Sequence, residues 1–229
     1  LPDQIHLYLS AEQFEKIELP KELVSLKSKG LYIHFVDDDL KSHKKYYYIF
    51  QNQKKDDLVI TYDDDIIYPP DSIERLIKKH QVYRNAIICN RAESFQMIDN
   101  RISDYCDWKV LSKRGIETPS IWLVPSTGGG TLYPFNSVNK ECFNKDNIKT
   151  LALTADDIWM RFMSLKNETL VLKTRKYHRT FTTVSDSQIS HLGNINCIQN
   201  GNNIVIQNLS KQYREIIDWL NKENNNGES

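Results

Sequence analysis

The chain carries no net charge, because 30 basic and 30 acidic side chains cancel. No global field draws it onto nucleic acid or an anionic membrane, so any such contact has to come from a local patch. It also has no apolar run approaching the roughly 18 residues that a membrane span requires. Leu1-Pro-Asp-Gln4 does not open a signal peptide. Cys89, Cys106, Cys142 and Cys197 include no C-x-x-C pair and have no His at zinc-finger distance. A chain of this size does not need disulfides, so reduced structural thiols in the cytoplasm are expected. There is no internal repeat. There is no initiator Met either, and Leu1 is expected not to be the natural start of the gene product.

What is present is 229 residues with 40% hydrophobic content, enough for one sizeable core. The expectation is a single domain over 1–220, with a nucleotide-sugar half at 1–90, an acceptor-side half at 91–207 and a helix at 208–220. The polar tail 221–229, with its run of Asn, is expected to lack order.

Ile5, Leu7 and Leu9 alternate with other residues as a strand should. Pro20 to Lys29 reads as a helix with Gly30 at its carboxyl cap. Leu31 to Val36, Leu58 to Tyr62 and Ala86 to Cys89 read as strands. Asp71 to His80 reads as a helix with Ile73, Leu76, Ile77 and His80 on one face, and Asp71 with Glu74 as its capping box. Strands alternating with helices predict an α/β fold, a mostly parallel sheet with helices on its faces and ligands at the carboxyl ends of the strands. Trp108 to Pro134 reads as mixed strands and loops. A helix starts near Thr154. The last runs from Asn208 to Leu220, with Leu209, Tyr213, Ile216, Ile217 and Leu220 on one stripe.

The strongest chemical feature is Asp63-Asp64-Asp65, directly after the apolar strand Leu58 to Tyr62 and before Ile-Ile-Tyr-Pro-Pro. Adjacent carboxylates repel unless solvent or a cation compensates them. Residues two apart on an extended segment point to one side, so Asp63 and Asp65 can face a common ligand while Asp64 faces away. Such hard oxygen donors suit Mg²⁺ or Mn²⁺ bridging to a diphosphate. The simpler alternative is a solvated acidic turn.

This stretch resembles the DxD region of GT-A glycosyltransferases, in particular bacterial capsule α-N-acetylglucosaminyltransferases and, more distantly, exostosin-type transferases. Three further segments are similar in the same order: Asp37 to Tyr46, Ser126 to Tyr133 with its glycines, and Thr154 to Trp159. The resemblance covers roughly residues 5 to 180. It implies a GT-A fold, Rossmann-like with a smaller mixed acceptor-side region and lacking its usual first strand. It further implies a soluble, cytoplasmic enzyme, in peripheral contact with the membrane at most. Such an enzyme moves a sugar, with retention, from a UDP-sugar to a glycan or lipid-linked glycan of a bacterial surface polysaccharide.

On that reading Asp65 is the direct metal ligand, and Asp63 reaches a metal-bound water or the ribose, with Asp64 beside them. Lys45 and Lys41 meet the diphosphate or base, since an ammonium is a compact charge for phosphate. Gly128, Gly129 and Gly130 allow positive φ and close approach of a ligand to the backbone. The resemblance puts Asp157, and with it Asp156, at the acceptor, as general base if the enzyme inverts or as a group orienting acceptor or donor sugar if it retains. Thr154 and Asp157 also form a capping box by spacing, which would explain that carboxylate structurally. Arg91 and the basic stretch Lys173 to Arg179 are candidate cations for the departing diphosphate. His191 or His178 would complete the metal shell. Of the tryptophans, Trp108, Trp122, Trp159 and Trp219, one can serve as a sugar platform, with core packing the simpler role. Two other readings compete: a phosphatase of the haloacid dehalogenase type, built on Asp63, Asp65, Asp156 and Asp157, and a carbohydrate-binding module without turnover.

Overall fold

The computed structural model describes residues 1–14, 16–109, 112–175, 182–184 and 200–227. It is a mixed α/β structure. Strand β1 (Ile5–Ser10) pairs in parallel with β2 (Leu31–Val36), Leu7 opposite Ile33. Between them the chain forms a helical turn, Lys21–Ser25, that tightens into a 3₁₀ segment and stops at Gly30. Gly30 has φ 96°, a conformation that suits glycine at a helix end.

Helix α1 (Lys44–Gln51) follows, burying Tyr46, Tyr47 and Phe50. Strand β3 (Val59–Tyr62) leads into the acidic turn, and α2 (Ser72–Val82) leads back to β4 (Ile87–Cys89). After the short antiparallel pair β5 (Ala92–Ser94) and β6 (Leu123–Pro125), β7 (Gly129–Tyr133) enters the main sheet. Helix α3 (Asp156–Leu165) precedes β8 (Val171–Lys173), and α4 (Gly201–Gln212) and α5 (Arg214–Asn225) close the chain.

The main sheet has the order β8-β4-β7-β3. Strands β8 and β4 are parallel, whereas β7 runs antiparallel to both β4 and β3. The expected single, mostly parallel sheet is therefore not what forms among the described residues. The largest sheet is mixed, and β1–β2 stands apart as its own pair. Strand β7 inserts between β3 and β4 against the direction of both, and its register with β3 shifts between Gly129 and Thr131, where Gly130 takes φ 86°. The antiparallel pairing brings the amino end of β7 to the carboxyl end of β3, which is where the acidic turn lies.

Helix α3 is buried on nearly every side, as a helix at the centre of a core must be. Trp159, Met163 and Arg161 all lie inside. Arg161 is tolerated there because its guanidinium donates to Ser164 Oγ at 2.9 Å and to the Thr169 carbonyl at 3.0 Å, and also to the Ile121 carbonyl. Burial still lowers its pKa to about 9. Trp108 and Trp122 are likewise in the core. Cys89 and Cys142 are buried free thiols, Cys106 is exposed, and Cys197 lies outside the described residues.

Three local expectations are corrected. Asp71 occupies the position before α2 but caps nothing: it pairs with Arg75, and Glu74 with Lys78, one turn along in each case. The expected last helix is two helices, broken at Tyr213, although its apolar stripe from Leu209 to Leu220 is buried as patterned. Helix α5 runs on to Asn225, so residues 221–225 of the expected tail are helical. No described helix is long and apolar enough to cross a membrane.

Candidate active site

Four separate segments meet at the carboxyl end of β3. Helix α1 contributes Lys45, β3 ends on Asp63, the loop before β7 supplies Thr127 and Gly128, and α3 begins with Asp156 and Asp157. Two acids in the first turn of a helix are favoured by its positive end.

Lys45 is the hub. Its Nζ donates to Asp63 Oδ1 at 2.5 Å, lies 3.2 Å from Asp156 Oδ2 and donates to Thr127 Oγ1 at 3.3 Å. Burial by itself would lower the pKa of this ammonium, but Asp156, Asp63 and Asp157 outweigh it and hold the pKa well above the ordinary value. Asp63 is pushed up by burial, with Lys45 opposing.

Thr127 ties the two acids of α3 together. Its Oγ1 is 2.5 Å from Asp156 Oδ2 and 2.6 Å from Asp157 Oδ1, and its backbone N–H also donates to Asp157 Oδ1 at 2.6 Å. A threonine hydroxyl has a single hydrogen, so it donates to one carboxyl group and accepts from the other. Of the two acids, Asp157 is the one that takes up a proton more readily. Burial and then the charge on Asp156 push its pKa up to about 7. Burial also works to raise Asp156, but Lys45, then His43, then the Thr127 hydroxyl hold it well below the usual carboxylate range. Like charges in one site divide their protons in this way.

Beneath the cluster, His43 is buried, with Nδ1 2.8 Å from the Tyr46 hydroxyl and Nε2 2.9 Å from the Ala152 carbonyl. The carbonyl can only accept, so Nε2 carries the hydrogen and Nδ1 accepts from Tyr46. Burial is the largest influence on His43 and lowers its pKa, with the charge on Asp156 opposing.

The glycines act for different reasons. Gly128 packs against the Asp63 carboxylate, where a Cβ would overlap its oxygens, and Tyr68 locks the contact by donating to the Gly128 carbonyl at 2.5 Å. Gly130 is the one of the three at positive φ, hemmed in by Tyr62 and Asn90, and Gly129 is close to Arg91 and Ser126.

Two volumes open onto this cluster. A groove of about 1360 Å³ runs from β1 past Lys41, Lys45, Asp63, Asp64 and Asp65 to Asp157. A smaller cavity of about 180 Å³ has Arg91, Glu93 and Trp108 in its wall, and it too reaches Asp156 and Asp157.

Of the residues singled out by sequence, Lys45, Asp63, Gly128, Asp156 and Asp157 come together. Asp64 is exposed and Asp63 and Asp65 are partly buried, and all three line the larger groove. Asp65 accepts a backbone hydrogen bond from Val184 at 2.9 Å, in a short ladder of Thr182 and Thr183 with Ile67 and Ile66. Lys41 stands at the groove edge, paired at 2.5 Å with Asp39 rather than with the cluster. Arg91 is in the smaller cavity, 3.7 Å from Glu93. His191 and His178 lie outside the described residues, as does most of the stretch 173–179; Lys173 itself is buried and donates to the Ser112 carbonyl at 2.5 Å. The capping box of Thr154 and Asp157 does not form, because α3 starts one residue late for it, with Ala155 at the cap position, and Asp157 is turned to Thr127.

Of the expected metal set, Asp63 and Asp65 line the groove, and His191 lies outside the described residues. Asp63 already holds Lys45, and no three His, Cys, Asp or Glu side chains converge as metal ligands among the described residues. Asp65 also lines the groove and would offer a carboxylate to a cation there, since Mg²⁺ typically binds through one or two carboxylates with substrate phosphates and waters completing its shell. Sequence reasoning missed Thr127, His43 and Tyr68. Thr127 was legible as the hydroxyl abutting the glycine run, but nothing in the sequence says that it faces two acids from thirty residues away. No protein-family model and no curated protein matches the chain.

Proposed function

We propose that the chain is a glycosyltransferase of the GT-A type that moves a sugar from a UDP-sugar to a hydroxyl of a glycan. The observation that carries this reading is Asp157, a carboxyl group raised toward neutrality that stands where the larger groove and the smaller cavity meet. Transfer between two bulky substrates needs two spaces and one proton-accepting group between them. A base with a pKa near the working pH is the efficient choice.

In this reading the larger groove holds the nucleotide sugar. The acceptor oxygen bonds to the anomeric carbon, the bond from that carbon to the diphosphate breaks, and the diphosphate leaves with the electron pair. The acceptor's proton passes to the ionised Asp157, the course of a transfer with inversion rather than the retention that the resemblance implies. Thr127 holds Asp157 in place through two hydrogen bonds, and Asp156, kept ionised by Lys45, favours Asp157 as the proton carrier. Lys45 fixes Asp63, and Gly128 sits close enough to seal that contact. Asp65 would hold Mn²⁺ or Mg²⁺, which supplies positive charge to the departing diphosphate.

Calorimetric titration with UDP, with Mn²⁺ and with chelator, tests the reading. UDP binding that strengthens at least tenfold with Mn²⁺ supports it. Equal affinity in both conditions removes the metal, and no UDP binding at all removes the donor.

A further inference from the structure

The smaller cavity is physically different from the larger groove. It is about 180 Å³, against the ~300 to 1,000 Å³ of sites that take drug-sized ligands. That is room for one sugar ring and not for a nucleotide. Its wall joins an aromatic surface to hydrogen-bonding groups: Trp108 and Tyr105, with ring centroids 4.9 Å apart, then Arg91, Glu93 and Asn202. Trp108 is held by its own Nε1–H, which donates to the Ser103 carbonyl at 3.0 Å, so its orientation does not depend on a ligand.

Asn202 carries the unexplained feature. The residue is 6% exposed, and its Oδ1 has no hydrogen-bond donor among the described residues. A buried carbonyl oxygen left without a donor costs about 1–3 kcal/mol. Its neighbour Asn203 is fully used, accepting from the Tyr105 N–H at 2.7 Å and donating to Asn200 at 2.6 Å. Asn202 therefore adds nothing to the start of α4 that Asn203 does not already supply.

The charges in the cavity narrow the ligand. Arg91 lies 3.7 Å from Glu93, and Asp156 and Asp157 are also in the lining, so three carboxyl groups meet one cation there. A ligand rich in O–H donors and without a carboxylate is what these walls match.

We infer that the smaller cavity seats the terminal sugar of the acceptor and takes a single neutral pyranose ring, beside Trp108, with one hydroxyl donated to Asn202 Oδ1 and the reacting hydroxyl toward Asp157. This rests on the transferase reading of Asp157 and adds the class of acceptor to it. A uronic acid in the same cavity would set its carboxylate among Glu93, Asp156 and Asp157.

Saturation-transfer NMR on the intact chain tests it, with methyl pyranosides of glucose, galactose, mannose and N-acetylglucosamine, methyl glucuronide as the charged control, and UDP measured separately. At least one neutral glycoside is expected to bind, and the glucuronide not. Asn202→Ala should weaken that binding by about tenfold, leave UDP affinity unchanged, and leave the melting temperature unchanged or higher, because it deletes an unsatisfied buried group. Glu93→Gln, a second and milder change, should let the glucuronide approach the neutral sugars in affinity. If no neutral glycoside binds, if the glucuronide binds best, or if Asn202→Ala leaves glycoside binding intact, the inference is overturned. Glycoside binding that depends on Asn202 in a chain that ignores UDP would instead keep the cavity and sink the transferase reading.

Discussion

Gly128 and Asp63 are in such close contact that a single methyl group on Gly128 would occupy the space of the Asp63 carboxylate. The carboxylate in turn holds Lys45, so a backbone position in the glycine run sets the position of the partly buried ammonium at the centre of the described site. Gly128→Ala is expected to push Asp63 off Lys45, cost about 1–3 kcal/mol as overpacking does, and lower turnover more than Gly130→Ala does. Gly130→Ala instead meets its positive φ and should cost on the order of 1–2 kcal/mol in stability. Denaturant melts with activity measured per folded molecule separate the two; equal activity losses would mean that Asp63 does not matter to the reaction.

Lys45→Met removes the cation that three carboxyl groups share. Leaving buried charge without its partner costs about 3–5 kcal/mol. The double variant Lys45→Met with Asp156→Asn should recover part of that loss, since the two residues interact directly. A strictly additive double variant, measured by urea unfolding, would show that the Lys45–Asp156 pair contributes no coupling.

The pH dependence of stability follows from Asp157 and Asp156 with opposite signs. Asp157 has a folded pKa raised from 3.8 to about 7, so the native state holds the extra proton between those values. Stability from this group therefore falls as pH rises from about 4 to about 7. Asp156, held low, contributes stability above its ordinary value of 3.8 and loses it as pH falls below. Asp157→Asn is expected to flatten the descent toward neutral pH and to leave the acid limb in place. Unfolding free energies at several pH values read both limbs, and an unchanged descent in Asp157→Asn would assign it to another group.

Asp65→Ala and Asp157→Ala should fail differently. Loss of Asp65 is expected to abolish metal-dependent UDP binding and turnover together, with little structural cost. Loss of Asp157 should leave UDP affinity nearly intact and lower turnover by about 10²- to 10⁴-fold, the usual contribution of a positioned acid or base. A normal turnover in Asp157→Ala would take Asp157 out of the reaction, and unchanged metal-dependent binding in Asp65→Ala would take the ion elsewhere.

Local pattern was enough for the elements whose information lies within a few residues. The alternation of Ile5, Leu7 and Leu9, the apolar strand before Asp63 and the buried stripe from Leu209 to Leu220 were all legible, because side-chain spacing alone decides which face is apolar. The break at Tyr213 was not, since both flanking segments favour helix and only packing around Tyr213, whose hydroxyl donates to Glu141 at 2.7 Å, distinguishes one helix from two. The capping boxes at Asp71 and Thr154 fit the spacing and still did not form. Asp71 met Arg75 one turn along, and Asp157 met Thr127 from a distant loop.

What the sequence by itself determined was the inventory: an acidic run at a strand end, a glycine run, an acidic pair at a helix start and a chain without net charge. Which of these residues share a site was decided by tertiary structure alone. The direction of β7 brings Thr127 and Gly128 to the end of β3, and only then do Lys45, Asp63, Asp156 and Asp157 lie within reach of one another. The same holds for their proton affinities. An isolated Asp157 is an ordinary carboxylate, and it becomes a near-neutral group only when the fold buries it beside a charged Asp156, because both burial and like charge act through distances that the linear order of residues does not contain.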